Sequence, residues 1–160
     1  MKINSIFFSL FFISLNGWAA QCDGAPGAYR TNLDSSPGAF VASTAFVASQ
    51  VYTDPTVEVC GNAIITGDAG LLGNAIVRGN ANISSDLAPN GIIVANSLIE
   101  GNARISGSVN ISKGAIIRGA AILRNNVHVE GFSNTLGTGP IIEDEAELYN
   151  NVNILGNAKV

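Results

Sequence analysis

The chain has 160 residues, 47% of them hydrophobic and only 12% charged, with two Cys and a single His. Eight Lys plus Arg against twelve Asp plus Glu give a net charge of −4 and no basic cluster. That argues against nucleic-acid binding, which needs several cations on one face to neutralise phosphate. The length allows one ordinary domain, the hydrophobic content argues against disorder, and one His excludes a site built from several imidazoles.

Residues 1–20 read MKINSIFFSLFFISLNGWAA: Lys2, an apolar run from Ile6 to Leu15, then small residues. This is the layout of a secretory signal peptide, too short for a membrane span and followed by no second apolar segment. Gly17 and Ala19 suit positions −3 and −1 of a cut after Ala19, whereas a cut after Ala20 puts bulky Trp18 at −3. Gln21 before Cys22 departs from a lipoprotein box, which requires a small residue there. The expectation is a leader over 1–19 and an exported chain, periplasmic, cell-surface or secreted, with no transmembrane segment after its removal. An oxidising compartment permits one intramolecular bridge. A Cys22–Cys60 disulfide is expected, over free thiols or an intermolecular bond, and no metal centre, since two lone cysteines make a poor one.

From Ala39 a six-residue period fills the chain: AFVAST, AFVASQ, VYTDPT, VEVCGN, AIITGD, AGLLGN, AIVRGN and ANISSD. After LAPN (87–90) it resumes as GIIVAN, SLIEGN, ARISGS, VNISKG, AIIRGA, AILRNN and VHVEGF. After SNTLGTG (133–139) come PIIEDE, AELYNN, VNILGN and AKV. Position 1 is small or Val, position 3 is nearly always Ile, Val or Leu, and positions 5 and 6 favour Gly then Asn or Asp. Alternation at 1 and 3 is the mark of a short strand with one buried face. Gly and Asn tolerate positive φ, so the chain can turn a corner at each hexad end. Three such sides close a prism of eighteen residues per turn. Six coils are predicted, roughly 30 Å tall at about 4.8 Å each. Residues 20–38 lie outside the period and form an N-terminal cap segment, tethered to the second coil by the expected disulfide.

The period resembles the hexapeptide-repeat family, whose members fold as left-handed parallel β-helices. The resemblance covers 39–160 and rests on aliphatics such as Ile65, Val77 and Ile105, with small residues such as Ala69 and Ala81 four positions later. It takes a G-N-A-x-V form, in which Gly falls one place later than in the family pattern. The resemblance implies an all-β, left-handed parallel β-helix, and the left hand comes from it alone, since crossovers between parallel strands are normally right-handed.

Stacking turns each position into a column. On the first side, position 3 gives an inward ladder of Val41, Val59, Val77, Ile99, Ile117 and Ile142. The outward position 2 carries Ile76, Leu98, Ile116 and Ile141, and position 4 carries Arg78, Glu100, Arg118 and Glu143. An aliphatic stripe beside a column of alternating charge suggests a contact surface. Asn62, Asn80 and Asn102 form a corner ladder of stacked amides. The period breaks off within a hexad at Val160, and an open parallel edge is a pairing template.

Three functions compete. The leading expectation is a non-catalytic scaffold, adhesion or interaction module, binding a protein partner or a second copy through its flat face or its C-terminal edge, with no cofactor. Many members of the resembled family are acyltransferases with a catalytic His. Here the candidate is His128, in Val127-His128-Val129-Glu130, where Glu130 lies on the same outward side to orient the imidazole. A glycan-binding surface is the third reading, drawn from the outward aromatics Phe40, Phe46 and Tyr52 in the first coil.

Overall fold

The computed structural model describes residues 21–85 and 91–160. The expected leader over 1–19 and the insertion at 87–90 lie outside the described residues. Three parallel sheets carry the period. Face A stacks Pro37–Ala42, Glu58–Val59, Ile76–Val77, Leu98–Ile99, Ile116–Ile117 and Ile141–Ile142. Face B stacks Phe46–Val47, Ile64–Gly67, Asn82–Ser85, Arg104–Ser106, Ile122–Arg124 and Glu147–Tyr149. Face C stacks Tyr52–Thr53, Ala69–Leu72, Ile92–Ala95, Val109–Ser112, Val127–Glu130 and Val152–Leu155. Residues one turn apart pair side by side. The step is 18 from Asn62 to Asn80, 22 from Asn80 to Asn102 across the first insertion, and 25 from Arg118 to Glu143 across the second. The described residues form a parallel β-helix of six turns, and an isolated bridge between Ile141 and Lys159 begins a seventh rung on face A.

The interior follows from the pleat. Val59, Val77, Ile99, Ile117 and Ile142 are fully buried from face A, Ile65, Ile83 and Leu123 from face B, and Leu71, Val94, Ile111 and Val129 from face C. Burying each such side chain contributes about 1.5–3 kcal/mol before entropy. The first residue of a side lies where two walls converge: on faces A and B it is mostly Ala, and Ala63, Ala75, Ala81, Ala103, Ala115 and Ala121 have no exposed surface, whereas on face C the buried first residues include Ile92, Val109 and Val127. At the corner leaving face A, Gly61, Gly79, Gly101 and Gly119 adopt positive φ and stack directly. A Cβ on Gly79 would lie 2.8 Å from the Gly101 carbonyl oxygen. Beside them the Asn62, Asn80 and Asn102 amides donate one to the next at 3.2 and 3.0 Å.

One side departs from the six-residue frame. Counting from Gly91 places Ile93 inward, whereas the structure buries Ile92 and leaves Ile93 42% exposed. Ile92 pairs with Ala69 and Ile93 with Gly70, one place out of the counted frame. A one-residue slip turns every side chain of a strand over. The slip is absorbed by a five-residue side, 92–96, that turns at Asn96 with φ 48°. Asn is among the few residues that enter the left-handed region at small cost.

The N-terminal segment closes the first turn. Gly27–Thr31 pairs antiparallel with Pro37–Ala42, so the first wall begins two residues inside the expected cap and covers the outer edge of face A. Asn32 turns into the mouth of the prism, where only 5% of it is exposed, and bonds the backbone of Thr53 on face C. Thr53 replaces an aliphatic at an inward position because its hydroxyl accepts the Ala39 N–H at 2.9 Å.

Candidate interaction face

The outward side of face A follows from the same alternation. With Val77, Ile99, Ile117 and Ile142 buried, their neighbours on both sides point out. Ile76, Leu98, Ile116 and Ile141 are paired rung to rung in one column, each half-buried. Two residues on, Arg78, Glu100, Arg118 and Glu143 form the parallel charged column. The expected alternation of sign resolves into two closed groups. Arg78 donates from Nε to Glu100 Oε2 at 2.8 Å and from Nη2 to the same oxygen at 2.7 Å. Arg118 donates from Nε to Glu143 Oε2 at 2.7 Å and also through Nη2, while Lys159 Nζ reaches the other oxygen of Glu143. Hydrogen bonds from Lys159 and then Arg118 hold the Glu143 carboxyl below its ordinary range, and Glu143 in turn raises the Arg118 guanidinium.

The first two rungs of this face are occupied by the N-terminal segment. Tyr29 packs edge-on against Phe40 with ring centroids 5.6 Å apart. Cys22 is bonded to Cys60 with Cα atoms 5.3 Å apart, and Glu58 accepts the Cys22 N–H at 2.9 Å. The two sulfurs next to Glu58 are joined to each other and offer no thiolate. The stripe from Ile76 to Ile141 begins where this cover ends. The 133–139 loop sits at the corner entering the face, with the N–H groups of Gly137 and Gly139 donating to Gly114.

His128 lies on face C. Its Nε2 is 2.9 Å from Glu130 Oε2, the pairing that two-residue spacing on a strand predicts. Lys113, which sequence reasoning did not single out, reaches the other oxygen of Glu130 from the neighbouring turn. Hydrogen bonds from Lys113 and then His128 hold the Glu130 carboxyl below its ordinary range. Ile93, Asn110, Asn126 and His128 line a cleft of about 380 Å³ here. The carboxylate that orients the imidazole is thus shared with an ammonium, and Nε2 is committed to it. On face B a second cleft, of about 320 Å³, is lined by Asn80, Asn82, Arg104, Ser106 and Arg124, with the Arg124 guanidinium 5.9 Å from the Tyr149 ring centroid.

Phe40, Phe46 and Tyr52 do not form one patch. Consecutive hexads lie on consecutive faces, so these aromatics point away from three different sides, with Phe40 under Tyr29 and Phe46 and Tyr52 exposed. Among the described residues no helix is long and apolar enough to cross a membrane. Compared with family models, curated proteins and solved structures, the chain matches none of them.

Proposed function

We propose that this chain is an exported, non-catalytic interaction module whose contact surface is face A between the third and sixth turns. The observation that carries the reading is the column Ile76, Leu98, Ile116, Ile141, held flat by the rungs and flanked by a charged column whose members neutralise one another. Such a surface costs little to desolvate along the stripe, and its rim of paired charges gives direction to a partner. The Cys22–Cys60 disulfide supports export, because such bonds persist in oxidising compartments.

The test is site-specific photo-crosslinking in the producing cell, with the reactive group at Leu98 or Ile116 on face A and at Ile122 on face B. The expected result is a discrete adduct from face A and none from Ile122. Absence of any adduct from face A removes the reading. The competing enzymatic reading draws on the 2.9 Å His128–Glu130 contact and the cleft beside it. A loss of cellular phenotype with His128→Ala, at unchanged melting temperature, would favour it over the interaction module.

A further inference from the structure

We infer that the partner of face A is a second copy of this chain, docked antiparallel across a two-fold axis that runs along the strand direction between the Leu98 and Ile116 rungs. The inference rests on the reading of face A as a contact surface and commits it to one occupant.

The argument is one of symmetry. A two-fold axis lying in the interface along the strands turns the second copy upside down yet keeps each column opposite itself. The aliphatic column then meets its own reverse: Ile76 faces Ile141 of the other copy, and Leu98 faces Ile116. The charged column does the same. Its order Arg78, Glu100, Arg118, Glu143 reverses the signs when inverted, so Arg78 faces Glu143 and Glu100 faces Arg118. Every charged position of the column meets its opposite, and every aliphatic meets an aliphatic. A two-fold axis along the helix axis keeps the rung order, so the charged column meets either itself, like against like, or a different column, and a three-fold axis inverts nothing.

The ion pairs within each chain leave valences for this. Arg78 and Arg118 spend Nε and Nη2 internally, and among the described residues Nη1 of each has no partner. Their side chains remain 46% and 44% exposed. A guanidinium has donors to spare for a second carboxylate in the same plane. Four rungs at about 4.8 Å by one strand-width of about 20 Å offer roughly 400 Å² per copy. That is below the roughly 800 Å² per partner of a standard interface, so the association is reversible and concentration-dependent.

The disulfide-bonded exported chain should therefore show a monomer–dimer equilibrium in sedimentation velocity and light scattering between about 1 μM and about 1 mM, the span in which contacts of this size associate. Glu100→Arg alone and Arg118→Glu alone each place like charges across the axis twice, and each should be monomeric with an unchanged far-UV spectrum. Mixed in equal amounts, the two variants should recover the dimer. That recovery cannot come from repair within a chain, because each chain keeps its own broken ion pair. Ile116→Lys, which leaves the internal pairs intact, should also be monomeric. A wild-type chain that stays monomeric throughout, that forms a trimer, or whose two charge variants do not combine overturns the inference. A monomeric chain that still gives a face A adduct with a different protein in the cell overturns self-association while leaving the contact-surface reading in place.

Discussion

Asn32 closes the first turn by presenting its carboxamide to Thr53 as if it were a peptide unit: Nδ2 donates to the Thr53 carbonyl at 2.9 Å and Oδ1 accepts the Thr53 N–H at 3.1 Å. The side chain thereby supplies the strand that face C lacks at this end. Asn32→Ala leaves a buried N–H and C=O without partners. A loss of about 2–3 kcal/mol is expected from the penalty for unsatisfied buried groups, measured by urea unfolding. An unchanged midpoint would show that water replaces the amide there.

The corner glycines and the strand glycine make a contrasting pair. Gly79 has φ +75° and a carbonyl oxygen 2.8 Å from where a Cβ would sit, whereas a Cβ on Gly70 meets nothing within 4 Å. Gly79→Ala should cost about 1–3 kcal/mol for a side chain forced into the left-handed region against backbone. Gly70→Ala should be neutral or stabilising by up to about 1 kcal/mol. Thermal melts of the two variants side by side check the sign.

Reduction of Cys22–Cys60, 38 residues apart, should lower stability by about 3–4 kcal/mol on loop-closure grounds. The loss should be local at first. Limited proteolysis should cut within 21–31 in the reduced protein while 57–85 remains protected. Cleavage spread evenly along the chain would mean that the cap holds the whole prism together.

Glu130 and Glu143 both have carboxyls held below the ordinary range, Glu143 by Lys159 and Arg118, Glu130 by Lys113 and His128. A depressed folded-state value means that the unfolded chain takes up protons first as pH falls. These two groups therefore contribute stability above the ordinary carboxylate range, and it is lost as pH falls through that range to their folded values. Because the cations that hold them are open to solvent, the loss is shallow. The urea midpoint followed from neutral pH downward should decline over that window, and Glu143→Gln should flatten part of the decline. A steeper acid loss in the variant would contradict the assignment.

The inverted pair on face C separates inside from outside by a single residue. Ile92→Ala should cost about 2–5 kcal/mol as a buried truncation, whereas Ile93→Ala should stay within about 0.5 kcal/mol. Equal costs would mean that both isoleucines are covered.

These isoleucines also show where sequence reading stops. The three-sided prism, its inward ladders and the stacked Asn corners were legible, because each follows from a strict period and from what Gly, Asn and alternating aliphatics permit. Gly91, Ile92 and Ile93 offered no such cue: two adjacent isoleucines fit either frame, and the five-residue side is visible only once Ile92 is seen paired with Ala69. The Asn32–Thr53 closure was hidden because residues 20–38 carry no repeat to align. Lys113 escaped notice as a partner of Glu130 because it sits at a corner, where the chain turns and simple column counting fails. The Arg78–Glu100 and Arg118–Glu143 pairs came directly from one-turn spacing. Their closure into two separate groups depends on side-chain reach, which a column of letters does not contain.

A rung of this prism touches only the rung before it and the rung after it. Of the two places where extra residues enter, 133–139 falls at the corner between faces C and A, and 87–90 comes in the sequence between Asn82–Ser85 of face B and Ile92–Ala95 of face C. Height is therefore a heritable quantity that can change by whole periods without redesigning the interior. Duplication of one eighteen-residue turn adds one aliphatic and one charge to the outward columns of face A. An odd number of added rungs would place like charges across the proposed dyad and an even number would preserve the alternation, so the parity of turns would become a trait on which selection for or against pairing can act.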